Sequence, residues 1–159
     1  MKKLMIFLFV VATSVSWAQE KTDEAPKFII HMTDARYMDR EEGRLATLLG
    51  TTQAIRDYGA LMVKDQDMLL DKLQKLAASK NITLPNAISD KKSKYLTKLS
   101  KLTGEKFDRT FLKMITTDHK RDVKKFKKAL KFEDAATRKF AAENLSMIEG
   151  HLAQAKALK

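Results

Sequence analysis

Residues 104–126 read GEKFDRTFLKMITTDHKRDVKKF, and the fold is decided by how this stretch is read. Phe107, Phe111, Ile115, Val123 and Phe126 recur at the three- and four-residue steps of one helical face. His119 falls inside that stripe, where an apolar residue is expected. The same interruption of an apolar stripe by one polar residue recurs on three other predicted helices.

Working towards the N-terminus, residues 90–102 (DKKSKYLTKLSKL) form a short amphipathic helix with Tyr95, Leu96, Leu99 and Leu102 on one side, ended by Gly104. Residues 81–89 (NITLPNAIS) make a break, because Pro85 forbids an ordinary helix through it. Residues 52–79 form a long helix with Ile55, Met62, Leu69, Leu73 and Leu76 as its stripe and Gln66 in the middle. Residues 27–49 form another, with Phe28, Met32, Ala35, Ala46 and Leu49 inward and Asp39 and Gly43 on the same face. Gly50, with Thr51 or Thr52 as N-cap, links these two so tightly that they must be antiparallel. Towards the C-terminus, residues 132–134 are a turn, and the fourth long helix spans 134–158 with Phe140, Ala141, Leu145, Ile148, Leu152 and Ala155 inward beside His151. No segment alternates as a strand does.

The expected architecture is an all-α, antiparallel four-helix bundle with an extra short helix. That short helix spans about 20 Å, enough to carry the chain from one end of the bundle to the other. A crossover between the second and third long helices is the wiring of ferritin-like bundles.

The first 18 residues read as a signal peptide: Lys2 and Lys3, an apolar run over 4–12, and Ser16-Trp17-Ala18 as an A-x-A-like cleavage site. Residues 19–26 form a polar, flexible leader, and residues 27–159 the bundle domain. The apolar run is short for a membrane span; an uncleaved anchor is the alternative. The expectation is export, with the protein periplasmic, associated with the outer envelope, or secreted, and not transmembrane after cleavage. The chain has no cysteine, so disulfides and thiolate metal sites are excluded.

The net charge of +11 is unevenly spread. Residues 19–80 are near neutral, whereas residues 91–139 carry 17 basic and 6 acidic side chains. A basic face of this kind suits an anionic partner such as lipid headgroups or a cell-wall polymer, with Lys124, Lys125, Lys127 and Lys128 as candidate contacts. Nucleic acid is a poor fit, since no aromatic-basic recognition module accompanies the charge.

Asp39, Gln66, His119 and His151, one from each long helix, are the candidate ligands of a transition metal, with Asp122 placed to orient the His119 ring. The alternative is a set of structural residues bonded to each other, to carbonyls or to water. Thr116 and Ile148 stand three residues before the two histidines, so the Glu-x-x-His pairs of di-iron bundles are missing. Helical rise also sets Gln66 and His119 about 21–22 Å from one end, Asp39 about 15 Å and His151 about 10 Å. No nucleophile motif, phosphate loop or glycosidase-like acidic pair is present. The chain is therefore expected to be non-catalytic and to require no cofactor.

MVKDQ (62–66), ITLP (82–85), GEKFDRTF (104–111), TTDH (116–119), KFAAENL (139–145) and GHLAQA (150–155) occur in an order that resembles the bacterial exported family catalogued as domain of unknown function 4142. The resemblance implies a ferritin-like helical bundle. It also implies His at the position of Gln66, Glu at Asp39, Tyr at Phe111 and Pro at Ser146, while His119 and His151 match. The loss of imidazole at Gln66 removes a good metal ligand. The outer-membrane label carried by members of the family finds no support in the residues, which lack the alternating strands of a barrel.

The leading expectation is a non-catalytic binding or envelope-stress protein acting through its basic face. The alternatives are a metalloprotein using His119 and His151 and, last, a protein whose helix faces pair into a dimer.

Overall fold

A computed structural model describes residues 24–159, which form five α-helices: α1 (Glu24–Leu49), α2 (Gln53–Ala78), α3 (Asp90–Leu99), α4 (Gly104–Ala129) and α5 (Ala135–Ala157). The expected signal peptide and most of the leader lie outside the described residues. The last part of the leader does not: α1 starts at Glu24 rather than after Pro26. Pro26 is accommodated because first-turn N–H groups have no partner within the helix.

Local sequence sets the other boundaries. The Thr52 hydroxyl accepts from the N–H of Ile55 and the Asp134 carboxylate from that of Thr137, capping α2 and α5. Asn81, in the left-handed region at φ 54°, turns the chain out of α2, and Ile82 N–H donates to the carbonyl of Ala77 at 3.0 Å. Gly104, at φ 59°, makes the turn into α4. The crossover helix stops at Leu99, three residues short of the expected end.

The expected wiring is present. α1 packs on α2 and α4, α5 packs on α4 and α2, and α3 lies against α1 and α4. Side chains at the two ends fix the directions. Asp108, in the first turns of α4, accepts from the N–H of Thr51 in the α1–α2 turn at 3.2 Å. At the other end, Lys128 near the end of α4 pairs with Glu24 at the start of α1, and Lys80 pairs with Asp134. α2 and α4 therefore run parallel, and α3 returns the chain between their ends.

α1 and α2 approach most closely where Gly43 faces Gly59. A Cβ on Gly59 would lie 2.6 Å from the Gly43 carbonyl oxygen and 2.8 Å from the Thr47 nitrogen. Backbone would have to move, so Gly59→Ala is expected to destabilise. Overpacking costs about 1–3 kcal/mol, against up to about 1 kcal/mol gained from helix propensity. A urea midpoint equal to or above that of the wild type would show that the crossing is loose.

The core is split in two. One apolar cluster gathers Phe28, Met32, Leu69, Leu73, Phe126, Phe140 and Ile148. The other gathers Ile55, Tyr58, Met62, Leu99, Phe107, Phe111 and Ile115. On each long helix most of the buried residues between the two clusters are polar. Among the described residues, no helix is long and apolar enough to cross a membrane.

Candidate functional site

The polar layer between the clusters holds Arg36, Asp39 and Glu42 from α1, Gln66 from α2, His119 and Asp122 from α4, and His151 from α5, all buried. Asp39, Gln66, His119 and His151 are thus where the sequence places them, on the inner faces. The two imidazoles meet edge to face with centroids 5.6 Å apart, closer than helical rise alone suggests. α4 and α5 are antiparallel, and side chains lean towards their helix N-termini, so the two rings lean towards each other.

Arg36, Glu42 and Asp65 belong to this site and were not among its candidates. The buried Arg36 guanidinium pairs with Asp122 and, at 2.9 Å, with Asp39. Asp122 is therefore committed to Arg36 and does not orient His119. The His119 ring instead donates from Nδ1 to the carbonyl of Ile115 at 3.2 Å. His151 Nε2 donates to Asp65 at 2.8 Å, and its backbone carbonyl accepts from Tyr58. The detectable signal for Arg36 and Glu42 was the gap in the α1 stripe between Ala35 and Ala46, where Met38 is the lone buried hydrophobe.

The layer is incompletely paired, with both donors and acceptors unused. Among the described residues, His119 Nε2, His151 Nδ1, Gln66 Oε1 and both Glu42 oxygens are buried without a hydrogen-bond partner, as are Arg36 Nε and Nη1. Burial therefore sets the protonation states. It pushes the Glu42 carboxyl well up, with neighbouring Asp39 adding to the effect. It raises Asp39 to about 7 despite the opposing pull of Arg36. It lowers His119 to about 4, with Arg36 contributing, and lowers His151 against the pull of Asp65. Both imidazoles are thus biased towards the uncharged form, and the Glu42 carboxyl towards the protonated one.

Outside the layer, a cleft of about 600 Å³ lies between α1, α3 and α4, and Asp39 and Asp122 reach its floor. Asp34 ties the crossover to α1, accepting from the N–H of Ser89 at 2.8 Å and pairing with Lys92 at 3.2 Å. The four candidate lysines of α4 do not share one environment. Lys124 is exposed, and Lys125 is half-buried in the cleft beside His31. Lys127 pairs with Glu149 at 2.8 Å, and Lys128 with Glu24. Helical geometry instead aligns Lys106, Lys113, Lys120, Lys124 and Lys127 at steps near seven residues. All five are exposed, and the first four have no acidic partner among the described residues. Those first four form a ridge about 27 Å long.

The family described as a domain of unknown function, DUF4142, matches residues 11–158. The chain belongs to this family. A comparison with curated proteins found no match. Among solved structures, the crystal structure of a DUF305 fragment from Deinococcus radiodurans is similar at a TM-score of 0.75 and 14% identity, covering 86% of this chain and 95% of that one. At that identity the likeness shows the helical-bundle fold alone. The DUF4142 resemblance expected from the motif order thus holds, and the family's description assigns it no function.

The di-metal site of ferritin-like bundles does not fit this DUF4142 chain. The orphaned acceptors would suit a cation. However, no three His, Asp or Glu side chains among the described residues are grouped to hold a metal. Gln66 contributes only a neutral amide oxygen.

Proposed function

We propose that this DUF4142 protein is a non-catalytic, exported bundle that docks on an anionic envelope surface through α3 and the lysine ridge of α4. The observation that carries this reading is the ridge itself: Lys106, Lys113, Lys120 and Lys124 stand in line, exposed and without acidic partners among the described residues. A straight row of uncompensated cations suits an extended anionic surface better than a point ligand. Each lysine near such a surface is worth about 1 kcal/mol, screened by salt.

The test is sedimentation with vesicles containing phosphatidylglycerol. Retention is expected at low salt and is lost at high salt. Replacing Lys106, Lys120 and Lys124 together by Gln is expected to weaken binding roughly 100-fold, on the basis of about 1 kcal/mol per lysine. Retention indifferent to both salt and substitution would overturn the proposal. The competing reading, a reduced metal site on His119 and His151, rests on their facing rings and orphaned nitrogens. Near-stoichiometric metal in the purified protein, lost in His119→Ala, would establish that reading instead.

A further inference from the structure

The cleft between α1, α3 and α4 has a charge pattern of its own. Each of its carboxylates is already committed: Asp34 to Lys92, Asp118 to Arg121 at 2.9 Å, and Asp39 and Asp122 to Arg36. Three of its cations are not. Lys91, Lys113 and Lys125 line the cleft without an acidic partner among the described residues. Lys125 is the most constrained of them. It is partly desolvated beside His31, which lowers its pKa, and the nearby Asp122 is taken by Arg36.

The rest of the lining is mixed: His31, Ser89, Thr110 and Thr117 are polar, and a strip of apolar side chains runs beside them. Ala35, Met38 and Met114 lie along the cleft, and Tyr95 stands over it from α3, half exposed although it is one of the large hydrophobic residues. A volume of about 600 Å³ is in the range of small-molecule sites. A surplus of cations next to a strip of four apolar or aromatic side chains complements a molecule with an anionic head and an apolar chain.

We propose that this cleft binds a single-chain amphiphile with an anionic head group, holding the head at Lys91 and Lys125 and the chain along Ala35, Met38, Met114 and Tyr95. This deepens the docking proposal, since it rests on the same basic α3–α4 face but concerns a soluble molecule rather than a surface. The methionines suit chains of varied shape, because the thioether side chain is flexible and polarizable.

The experiment is calorimetric titration of the protein, purified without detergent, with decyl phosphate below its micellar concentration. One molecule per chain is expected, with octyl phosphate about tenfold weaker for its two missing methylenes. Inorganic phosphate and decyl maltoside are each expected to bind at least tenfold more weakly than decyl phosphate. Lys91→Gln with Lys125→Gln should weaken decyl phosphate at least tenfold, and Tyr95→Ala should weaken it several-fold. Decyl maltoside binding as tightly as decyl phosphate, or lysine variants binding unchanged, would overturn the proposal. No decyl phosphate binding alongside intact vesicle retention overturns the cleft proposal and leaves surface docking standing. Decyl phosphate binding without vesicle retention does the reverse.

Discussion

Arg36→Met is expected to destabilise the bundle by about 3–5 kcal/mol, the usual cost of removing one partner from a buried ion pair. The Arg36 side chain is 1% exposed and, among the described residues, is the one cation within the polar layer, where Asp122 and Asp39 converge on it. Without it, two carboxyls stay buried beside Glu42, and each must take up a proton or draw in water. Replacing both partners is a different experiment. In Arg36→Met/Asp122→Leu the orphaned charge is gone, and most of the loss should be recovered. Urea unfolding of the three proteins decides it. A single-variant loss below about 1 kcal/mol, the range of exposed ion pairs, would mean that the guanidinium is solvated.

The second large effect is a loss of stability on the alkaline side. Stability falls with rising pH wherever the folded chain holds more protons than the unfolded one. Asp39, raised from 3.8 to about 7, and Glu42, raised well above 4.5, do so from about pH 4 upward. His119, lowered from 6.5 to about 4, and His151, also lowered, act oppositely between about pH 4 and 6.5. The two effects offset each other in that interval. Above it only the carboxyls act, and each unmatched proton costs roughly 1.4 kcal/mol per pH unit. The melting temperature should therefore decline as the pH rises from about 6.5 through 7, where Asp39 gives up its proton. The Asp39 contribution ends just above pH 7, and Glu42 adds to it in the same direction. Glu42→Gln keeps the shape, removes the titration and should flatten the decline. Melting curves of the two proteins that run parallel from pH 6.5 to 9 would place the titrating group elsewhere.

Much of the fold was legible because it depends on local signals. Thr52 and Asp134 are capping residues in the expected places, and the apolar stripes of α2, α4 and α5 continue into the two clusters. The short α3 required a crossover. The start of α1 was misplaced because Pro26 reads equally well as the first helical residue or as one within the first turn. At the candidate site, a polar residue on an apolar stripe correctly marked Asp39, Gln66, His119 and His151 as buried. The partners were not legible, because pairing is a matter of three-dimensional reach. Asp122 is three residues from His119 but bonds Arg36, which is 86 positions away. His151 is held by Asp65, the neighbour of the residue that had been singled out. The ridge on α4 is not visible in the run KKFKK, which helical geometry spreads around the axis, while lysines seven residues apart line up.

The two apolar clusters are built from much the same aliphatic and aromatic residues, so hydrophobicity alone would tolerate a helix displaced along its neighbours. The band between them would not. Sliding α4 by a single turn, about 5.4 Å, would carry Asp122 away from Arg36 and press a charge into a greasy half-core. The price in stability that this band exacts from the native state is charged far more heavily to every mis-registered one, so the buried charges act as an index mark that gives the four helices a single vertical alignment.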